Sequence, residues 1–335
     1  MIRVGVLGAG FMGSTHARAF AKLADVQVVA VTSRTMERAA ALAQEMGARP
    51  SLDHMAVATD PGIDVVSNTL PTPFHKEYTI AALQAGKAVL LEKPMGLTVE
   101  ECDAMIATAR ATGRPFMIAH VIRFWPEYVA LYEFVAGGAL GKPLAAVARR
   151  LSTRPTWGDW FANAEWTGGA VLDLHIHDLD TLNWFFGRPR SVYARGQRGT
   201  YGGWDHVLTL VDYGEVKAHA EGSVMMPEGY PFTMSLAVLC ERGSAEFNFR
   251  AGGTGVETGS AEGTSLMVYE SGKPPYPLAA PGGDAYEAEV AYFVECVRAN
   301  RLPERGTPEQ ARLAVQTALA GRRSLETDQV VTLSD

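Results

Sequence analysis

The sequence predicts an α/β protein made of an N-terminal Rossmann domain, with a doubly wound parallel sheet, and a C-terminal α+β domain with a largely antiparallel, open sheet. Up to about residue 120, short continuous apolar runs alternate with helical stretches, as in βαβ units. After residue 123, polar and apolar residues alternate, which indicates antiparallel strands with one polar face. A chain of 335 residues is long enough for two cores, so we expect domains at 1–122 and 123–335.

The elements of the first half follow from the spacing of its apolar residues. Ala-rich segments at Met12–Leu23 and Met36–Met46 separate the apolar runs and predict helices that cover both faces of the sheet. Five runs are predicted to be buried parallel strands: Ile2–Leu7, Val26–Thr32, Val65–Asn68, Ala88–Leu91 and Phe116–Ala119.

The second half contains segments in which every second residue is apolar. Three of them are predicted to be antiparallel strands: Glu215–Val224, Thr233–Cys240 and Ser244–Arg250. The stretch Gly252–Gly263 is rich in Gly, Thr and Ser and predicts a hairpin loop. Two helices are expected at Ala285–Asn300 and Pro308–Leu325. A sheet with one uncovered face predicts self-association, as a homodimer or a homotetramer.

The composition excludes several classes of protein. The chain has 30 Lys+Arg against 37 Asp+Glu, and this net charge of −7 disfavours a nucleic-acid partner, because phosphate contacts need clustered cations. Its three scattered cysteines form neither a CxxC pair nor a disulfide framework, which favours a reducing compartment. No secretory signal is recognisable, and no stretch approaches the ~18 apolar residues of a membrane helix. We therefore expect a cytoplasmic protein without a membrane partner.

The first motif is a glycine loop between the first predicted strand and the first predicted helix. Residues 8–13 read GAGFMG and match the GxGxxG spacing. Gly8 allows the tight turn, Gly10 lets the backbone approach a pyrophosphate, and Gly13 lets the helix pack closely on the strand. The N–H groups at the start of the helix can bind the phosphates. This context favours dinucleotide binding over a merely structural turn.

The end of the second predicted strand indicates which dinucleotide binds. NAD-binding Rossmann folds usually carry an Asp or Glu there, which binds the ribose 2′-hydroxyl. This chain has Ser33 and Arg34 directly after the strand and Arg38 one helical turn later. A hydroxyl and guanidinium groups suit a 2′-phosphate, which favours NADP, with NAD as second choice. The alternative is that both arginines are ordinary solvated charges.

Two loops follow strand ends at the edge of the sheet where such folds bind ligands. The Pro-stiffened stretch Asn68–His75 should border the nicotinamide, and His75 could contact the cofactor or be a capping or surface residue. The tripeptide Glu92-Lys93-Pro94 would point a lysine into the cleft, where its charge could stabilise a developing alkoxide. An ordinary exposed lysine is the alternative for this tripeptide taken alone.

A polar cluster with helix-like spacing lies between residues 173 and 180. Asp173 and His177 are four residues apart and should share one helix face. There His177 could take a hydroxyl proton, and Asp173 could hydrogen-bond the same hydroxyl and orient the imidazole. A metal site built from His175, His177, Asp178 and Asp180 is a rival, but the two histidines lie about 200° apart around a helix, so we expect no metal. The other rival is a polar helix at a domain seam that has no chemistry.

The glycine loop, Glu92–Pro94, and Gly168-Gly169 followed by Asp173-x-x-x-His177 together resemble the Gfo/Idh/MocA family, named after glucose–fructose oxidoreductase and inositol dehydrogenase. The resemblance spans almost the whole chain. It implies hydride transfer between a nicotinamide and a sugar, inositol or related polyol, with Lys93, Asp173 and His177 as catalytic residues. It also implies that the open sheet is an oligomer interface. The residues expected to contact the cofactor are Gly8, Gly10, Phe11, Met12, Gly13, Ser33, Arg34, Arg38, Thr69, Pro71, His75, Glu92 and Lys93.

The substrate is less defined than the reaction. Many relatives have Gly at the position of His175 and Asn at that of His120. The candidate substrate contacts are His120, Arg123, Tyr128 and Trp160, the last within a tryptophan-rich stretch. Two other functions stay open: a non-catalytic dinucleotide-binding regulatory protein, and a sugar-modifying enzyme that recycles its NAD(P) within one turnover.

Overall fold

A computed structural model describes residues 1–154, 163–199, 203–251 and 264–333. The contacts within the chain divide it into two compact units. The first unit comprises Met1–Phe124 and Gly283–Arg312, and the second comprises Trp125–Gly282 and Leu313–Asp335. The chain first changes unit close to the boundary expected after residue 122. The segment Gly283–Arg312 differs from that expectation, because it belongs to the first unit although it lies late in the sequence.

The first unit is built on a six-stranded parallel sheet. Its strands are β1 (Ile2–Leu7), β2 (Val26–Thr32), β3 (Arg49–Ser51), β4 (Val65–Asn68), β5 (Ala88–Glu92) and β6 (Phe116–Ala119). They are arranged β3-β2-β1-β4-β5-β6, the order of a doubly wound dinucleotide-binding fold. The five predicted strands are confirmed. The sequence pattern did not reveal β3, because this short edge strand is polar and contains Pro50.

Eleven α-helices are present in the described residues. In chain order they are α1 (Phe11–Ala21), α2 (Met36–Met46), α3 (His54–Ala58), α4 (His75–Gln84), α5 (Val99–Thr112), α6 (Pro126–Ala136), α7 (Ala164–Thr167), α8 (Ala170–Asp173), α9 (Ile176–Phe186), α10 (Ala285–Arg298) and α11 (Pro308–Thr327). The predicted helices in the first half and at the C-terminus are thus confirmed. Local chemistry explains their ends: the Thr98 side chain caps the start of α5, and Gly113 ends that helix in the left-handed conformation.

Helix α10 completes the core of the first unit. Its apolar residues Val290, Phe293 and Val294 recur at helical spacing and are buried in the same cluster as Val4 of β1 and Leu90 of β5. Asp284 caps the start of this helix by accepting a hydrogen bond from the backbone of residue 287. The Rossmann sheet is therefore covered in part by a helix that the chain supplies more than 150 residues after β6.

The second unit is built on a mixed sheet of nine strands in the described residues. They are β7 (Pro143–Leu151), β8 (Ser191–Arg198), β9 (Trp204–Asp212), β10 (Lys217–Ser223), β11 (Thr233–Cys240), β12 (Gly243–Arg250), β13 (Ser265–Glu270), β14 (Tyr276–Pro277) and β15 (Val331–Thr332). Their order is β14-β13-β12-β11-β7-β10-β9-β8-β15. Neighbours are antiparallel except for β7 and β10, which are parallel. The predicted largely antiparallel sheet and its three predicted strands are confirmed.

Helices pack on one face of this sheet, and the opposite face is partly exposed. Helices α6 and α9 pack on one face, against β12 and against β7 and β10. The opposite face carries large apolar side chains that remain about half exposed, with Val147 at 47%, Leu210 at 56% and Leu239 at 50%. This exposed face fits the open sheet that the alternation in the sequence predicts.

Some predictions concern residues that the structure does not describe. The expected hairpin loop at Gly252–Gly263 and the side chain of Trp160 lie outside the described ranges. All three cysteines are described, and each is buried and unpaired. Among the described residues, no helix is both long enough and apolar enough to cross a bilayer.

Candidate active site

In the glycine loop, a Cβ atom would have room at Gly10 but would meet neighbouring atoms too closely at Gly8 and Gly13. Gly8 has φ +103°, and a Cβ on Gly13 would lie 1.9 Å from the carbonyl oxygen of Gly8. By contrast, nothing lies within 4 Å of the place where a Cβ on Gly10 would be. The start of α1 at Gly10 has no side-chain cap. These residues fit a pyrophosphate that approaches the backbone at Gly10.

Two threonines fix this loop from neighbouring strands. The backbone N–H of Gly8 donates to the carbonyl oxygen of Thr32 at 3.2 Å and lies 3.3 Å from its hydroxyl oxygen. The hydroxyl of Thr69, at the end of β4, donates to the carbonyl oxygen of Leu7 at 2.8 Å. Thr69, which we predicted as a cofactor contact, thus uses its hydroxyl within the protein to hold the glycine turn.

The end of β2 presents the predicted cofactor-selecting residues in two environments. Ser33 is buried, whereas Arg34 and Arg38 are exposed. Neither arginine forms an ion pair within the part of the chain that the structure describes. Two uncommitted guanidinium groups beside the strand end are available to an anionic ligand.

The Glu92-Lys93-Pro94 segment leaves β5 through a cis peptide bond between Lys93 and Pro94. Glu92 is only 6% exposed, and its Oε1 lies 3.1 Å from Nε2 of His16. Its Oε2 accepts a hydrogen bond from the backbone N–H of Lys93 at 3.0 Å. Burial favours a higher pKa for Glu92, but the contact with His16 and the charges of His16 and Lys93 outweigh it and hold the pKa below its ordinary value. Glu92 is thus engaged inside the protein rather than presented to the cofactor.

His75 joins the two predicted cofactor loops. Its ring is buried, with Nε2 2.7 Å from the carbonyl oxygen of Leu70 and Nδ1 2.9 Å from that of Pro94. Burial lowers the pKa of His75, although these two carbonyl groups oppose the shift. The capping or surface position that the sequence left open for His75 is therefore wrong, because the side chain connects the loop after β4 to the segment after β5. Pro71 directly precedes the 3₁₀ turn Thr72–Phe74, which leads into α4.

Asp173 and His177 lie at the junction of two short helices rather than on one. Helix α8 ends at Asp173, and α9 begins at Ile176 after a wider turn in which the N–H of His175 donates to the carbonyl oxygen of Ala170, five residues earlier. The expected single helix therefore has a break. Asp173 and His177 are nevertheless the partly exposed ionisable residues of this segment, whereas its other ionisable residues, His175, Asp178 and Asp180, are buried.

The buried polar residues of this segment are committed to structure. Nε2 of His175 lies 2.8 Å from the hydroxyl oxygen of Thr209, and burial lowers the pKa of His175 to about 3, so the ring stays neutral. Asp178 accepts two hydrogen bonds from the guanidinium of Arg150, at 3.1 and 3.0 Å. No group of three His, Cys, Asp or Glu residues that could hold a metal ion occurs among the described residues.

A small cavity adjoins Asp173 within the second unit. Its volume is about 20 Å³, enough for about one water molecule. The polar side chains that line it include Arg154, Thr167, Asp173 and Asp205. Positively and negatively charged side chains that can bind a hydroxyl therefore lie around Asp173, which we predicted as catalytic.

The remaining predicted substrate contacts lie deeper than the sequence suggested. His120 and Arg123 are buried in the first unit, and Tyr128 is fully buried in the second, where its ring meets that of Phe247 edge-on. Burial raises the pKa of Tyr128. A substrate role for these residues stays a prediction. Sequence reasoning missed His16, although a histidine on the buried side of α1 was a usable signal.

Comparisons with known proteins agree with this arrangement. Residues 2–120 match the model of an oxidoreductase family with an NAD-binding Rossmann fold, and residues 128–246 match the GFO/IDH/MocA C-terminal domain. The D-glucoside 3-dehydrogenase of Escherichia coli K12 is 32% identical over 249 residues, which cover 68% of this chain and 70% of that protein. Inositol 2-dehydrogenase 3 of Saccharopolyspora erythraea is 33% identical over 55% of this chain, but the match spans only 53% of that relative.

A solved structure shares the fold. The crystal structure of aldose-aldose oxidoreductase from Caulobacter crescentus, complexed with glycerol, matches this chain with a TM-score of 0.86 over 99% of each chain, at 22% identity. At that identity the similarity shows the fold alone. The sequence matches to both domains and to the Escherichia coli relative go further, and they show that the chain belongs to the Gfo/Idh/MocA family of NAD-binding oxidoreductases.

Proposed function

We propose that this chain is an NADP-preferring dehydrogenase or reductase that transfers hydride between the nicotinamide and a secondary hydroxyl, or the matching carbonyl, of a sugar, inositol or related polyol. One observation carries the proposal. The segment Glu92–Pro94 of the first unit and the segment Asp173–Asp180 of the second are mostly buried. Within them, Lys93, Asp173 and His177 are partly exposed. These are the three side chains that the chemistry needs.

Each of these side chains has a distinct task in this proposal. In the oxidation direction, His177 takes the proton of the substrate hydroxyl, because an imidazole exchanges protons near neutral pH. Lys93 stabilises the developing alkoxide with its positive charge, and Asp173 accepts a hydrogen bond that orients the hydroxyl. A bound nicotinamide supplies the hydride acceptor. In the reduction direction, His177 returns the proton.

The preference for NADP rests on the end of β2. Arg34 and Arg38 are exposed there without ion pairs in the described chain, and Ser33 offers a hydroxyl beside them. Since guanidinium groups bind phosphate strongly, Arg34→Ala with Arg38→Ala should weaken NADPH binding by about tenfold or more and change NADH binding little. Fluorescence titration of both reduced cofactors measures this difference directly.

The test of the reaction is a screen of aldoses, ketoses, inositols and anhydrosugars with both cofactors, read at the absorbance band of the reduced nicotinamide. Steady turnover supports a dehydrogenase, cofactor binding without turnover indicates a regulatory protein, and product without net absorbance change indicates a cofactor-recycling enzyme. Lys93→Ala and His177→Ala should each lower turnover by about 100-fold while cofactor affinity persists. Normal turnover in both variants would contradict the assignment.

The open sheet is also proposed to pair with a second copy of this chain. The outer face of the second unit exposes Val147, Leu210 and Leu239, which a monomer leaves in water. Leu210→Asp should then reduce the mass measured by light scattering to that of one chain. A wild-type protein that is already monomeric at micromolar concentration would contradict the pairing.

A further inference from the structure

We infer that His16 and Glu92 form a buried positioning pair that fixes the backbone of Lys93, so that its amine reaches one place in the site. The inference rests on the catalytic role proposed for Lys93. It assigns a task to two side chains that do not themselves touch the reacting atoms.

The pair belongs to a continuous polar chain through the first unit. Nδ1 of His16 on α1 lies 2.9 Å from the hydroxyl oxygen of Ser67 on β4, and its Nε2 lies 3.1 Å from Oε1 of Glu92 at the end of β5. The second contact is at ion-pair distance rather than along an aligned hydrogen bond. Oε2 of Glu92 then accepts the backbone N–H of Lys93 at 3.0 Å. Three elements of the fold therefore converge on the peptide that carries the lysine.

This arrangement restrains the lysine from one side, and another histidine restrains it from the other. The side chain of Glu92 holds the peptide that precedes Lys93. The carbonyl oxygen of Pro94, which follows Lys93, lies 2.9 Å from the buried ring of His75. Both residues that flank Lys93 are therefore held by hydrogen-bond contacts, which restricts the backbone from which its side chain extends. A site held this tightly is the preorganisation that proton and hydride transfer require.

A purely structural role is less favourable for a pair at this place. A buried carboxylate and imidazole stabilise a fold little more than apolar residues of the same volume. The charge of Glu92 is also costly here, because Glu289 of α10 is buried, and burial and the charge of Glu92 together raise the pKa of Glu289 well above its ordinary value. The fold thus accommodates a second buried acid while it keeps Glu92 ionised next to Lys93.

The location of His16 adds a functional link. It lies one helical turn after Gly13, on the helix whose start is proposed to bind the pyrophosphate. The same helix therefore carries the cofactor loop at its start and the support for the catalytic lysine one turn later. This linkage predicts that damage to the pair changes turnover more than cofactor affinity.

The test compares Glu92→Gln, Glu92→Ala, His16→Leu and the His16→Leu/Glu92→Ala double variant. Met105→Ala on α5 is the matched control, because Met105 is fully buried in the same unit and should lower stability without contacting the site. Three quantities are measured: kcat and KM with the polyol that the screen identifies, the Kd of NADPH, and the rate at which acetic anhydride labels Lys93 without substrate. The labelling is resolved by mass spectrometry, with the exposed Lys76 as internal reference.

Positioning predicts a specific pattern. Glu92→Ala and His16→Leu should lower kcat by about 10- to 100-fold and leave the Kd of NADPH within about threefold. Glu92→Gln should stay within about fivefold of wild type, because its amide oxygen can still accept the N–H of Lys93. The double variant should be no more than about twofold worse than the worse single variant, since both act through one peptide. Labelling of Lys93, but not of Lys76, should change by about threefold or more.

The inference is overturned if Glu92→Ala keeps the kcat of Met105→Ala at an equal loss of thermal stability, or if labelling of Lys93 is unchanged. It is also overturned if Glu92→Gln is as impaired as Glu92→Ala, because the charge and not the hydrogen bond would then matter. If the wild-type chain turns over no polyol, the proposed function fails, and the labelling rates still decide whether the pair positions Lys93.

Discussion

Replacing Arg150 by methionine should cost the second unit about 3–5 kcal/mol of its free energy of unfolding, because the change leaves Asp178 buried without its partner. Nε and Nη2 of Arg150, on β7, donate to the two carboxylate oxygens of Asp178, on α9, at 3.1 and 3.0 Å. The two side chains are 4% and 1% exposed, so water cannot replace the lost guanidinium. Methionine keeps much of the aliphatic stem and removes only the charge and its donors.

The size of this loss in stability follows from the protonation of Asp178 in the folded variant. Even beside Arg150, burial raises the pKa of Asp178, so without the arginine the group takes up a proton in the folded state. Protonation at pH 7, against an ordinary pKa near 4, costs about 4 kcal/mol, since each pH unit corresponds to about 1.4 kcal/mol. At pH 5 the same step costs only about 1.4 kcal/mol. The folded variant binds the proton and the unfolded chain does not, so its stability falls as the pH rises.

Urea unfolding, combined with hydrogen–deuterium exchange of peptides from β7 and α9, measures this loss at pH 5 and pH 7. For a unit of about 180 residues the loss corresponds to a fall in Tm of about 6–20 °C at pH 7. The double variant Arg150→Met/Asp178→Leu is the control, and it should recover most of the stability because no unpaired charge remains. The reasoning is refuted if Arg150→Met costs less than about 1 kcal/mol, if its cost does not change with pH, or if the double variant is equally unstable.

Three further predictions concern two buried ionisable residues and the glycine loop. Glu289→Leu should raise stability above pH 6, increasingly so at higher pH, because it removes a buried acid whose raised pKa makes folding take up a proton. His175→Asn should flatten the loss of stability between pH 6 and pH 4.5, where the neutral buried ring, with a pKa of about 3, costs about 1.4 kcal/mol per pH unit. Gly10→Ala should weaken NADPH binding by more than about tenfold and leave the Tm of the protein without cofactor unchanged. Gly13→Ala should lower both the affinity for NADPH and the Tm, because its Cβ would lie 1.9 Å from the carbonyl oxygen of Gly8.

Each of these has a clear contrary result. Chemical denaturation at pH 5 and pH 8 that shows equal stability changes for Glu289→Leu would contradict the buried acid. A His175→Asn profile parallel to that of wild type would show that this ring does not titrate on unfolding. Equal cofactor affinity in Gly10→Ala and wild type, by fluorescence titration, would mean that the pyrophosphate does not approach that backbone.

The parts of the structure that local sequence determines were predictable. Nearly continuous apolar runs define β1, β2, β4, β5 and β6, because a strand buried on both faces has few positions that favour polar residues. The spacing of the glycine loop also predicts its turn. Gly8 adopts a φ of +103°, which favours glycine, and Gly13 packs against Gly8 where a Cβ would not fit. These features depend on neighbouring residues, which a sequence displays directly.

The features that depend on distant residues were not predictable in this way. Thr69, His75 and Glu92 were expected to face the cofactor, but their polar atoms bind groups of the protein itself. Which partner a buried polar group finds is set by the packing of elements far apart in sequence, as for His16 and Ser67, which are 51 positions apart. The break between α8 and α9 was missed as well, because the periodicity of Val171, Leu179 and Leu182 continues across it.

The return of α10 to the first unit has a consequence for how the chain is made. A ribosome adds about 5–20 residues per second, so the roughly 160 residues between Phe124 and Gly283 take about 8–30 seconds to synthesise. During that interval the Rossmann sheet exists without the helix that buries Val4 and Leu90 with it. A fragment that stops near residue 122 lacks this helix permanently, so we expect such a fragment to be less stable than the first unit of the full chain.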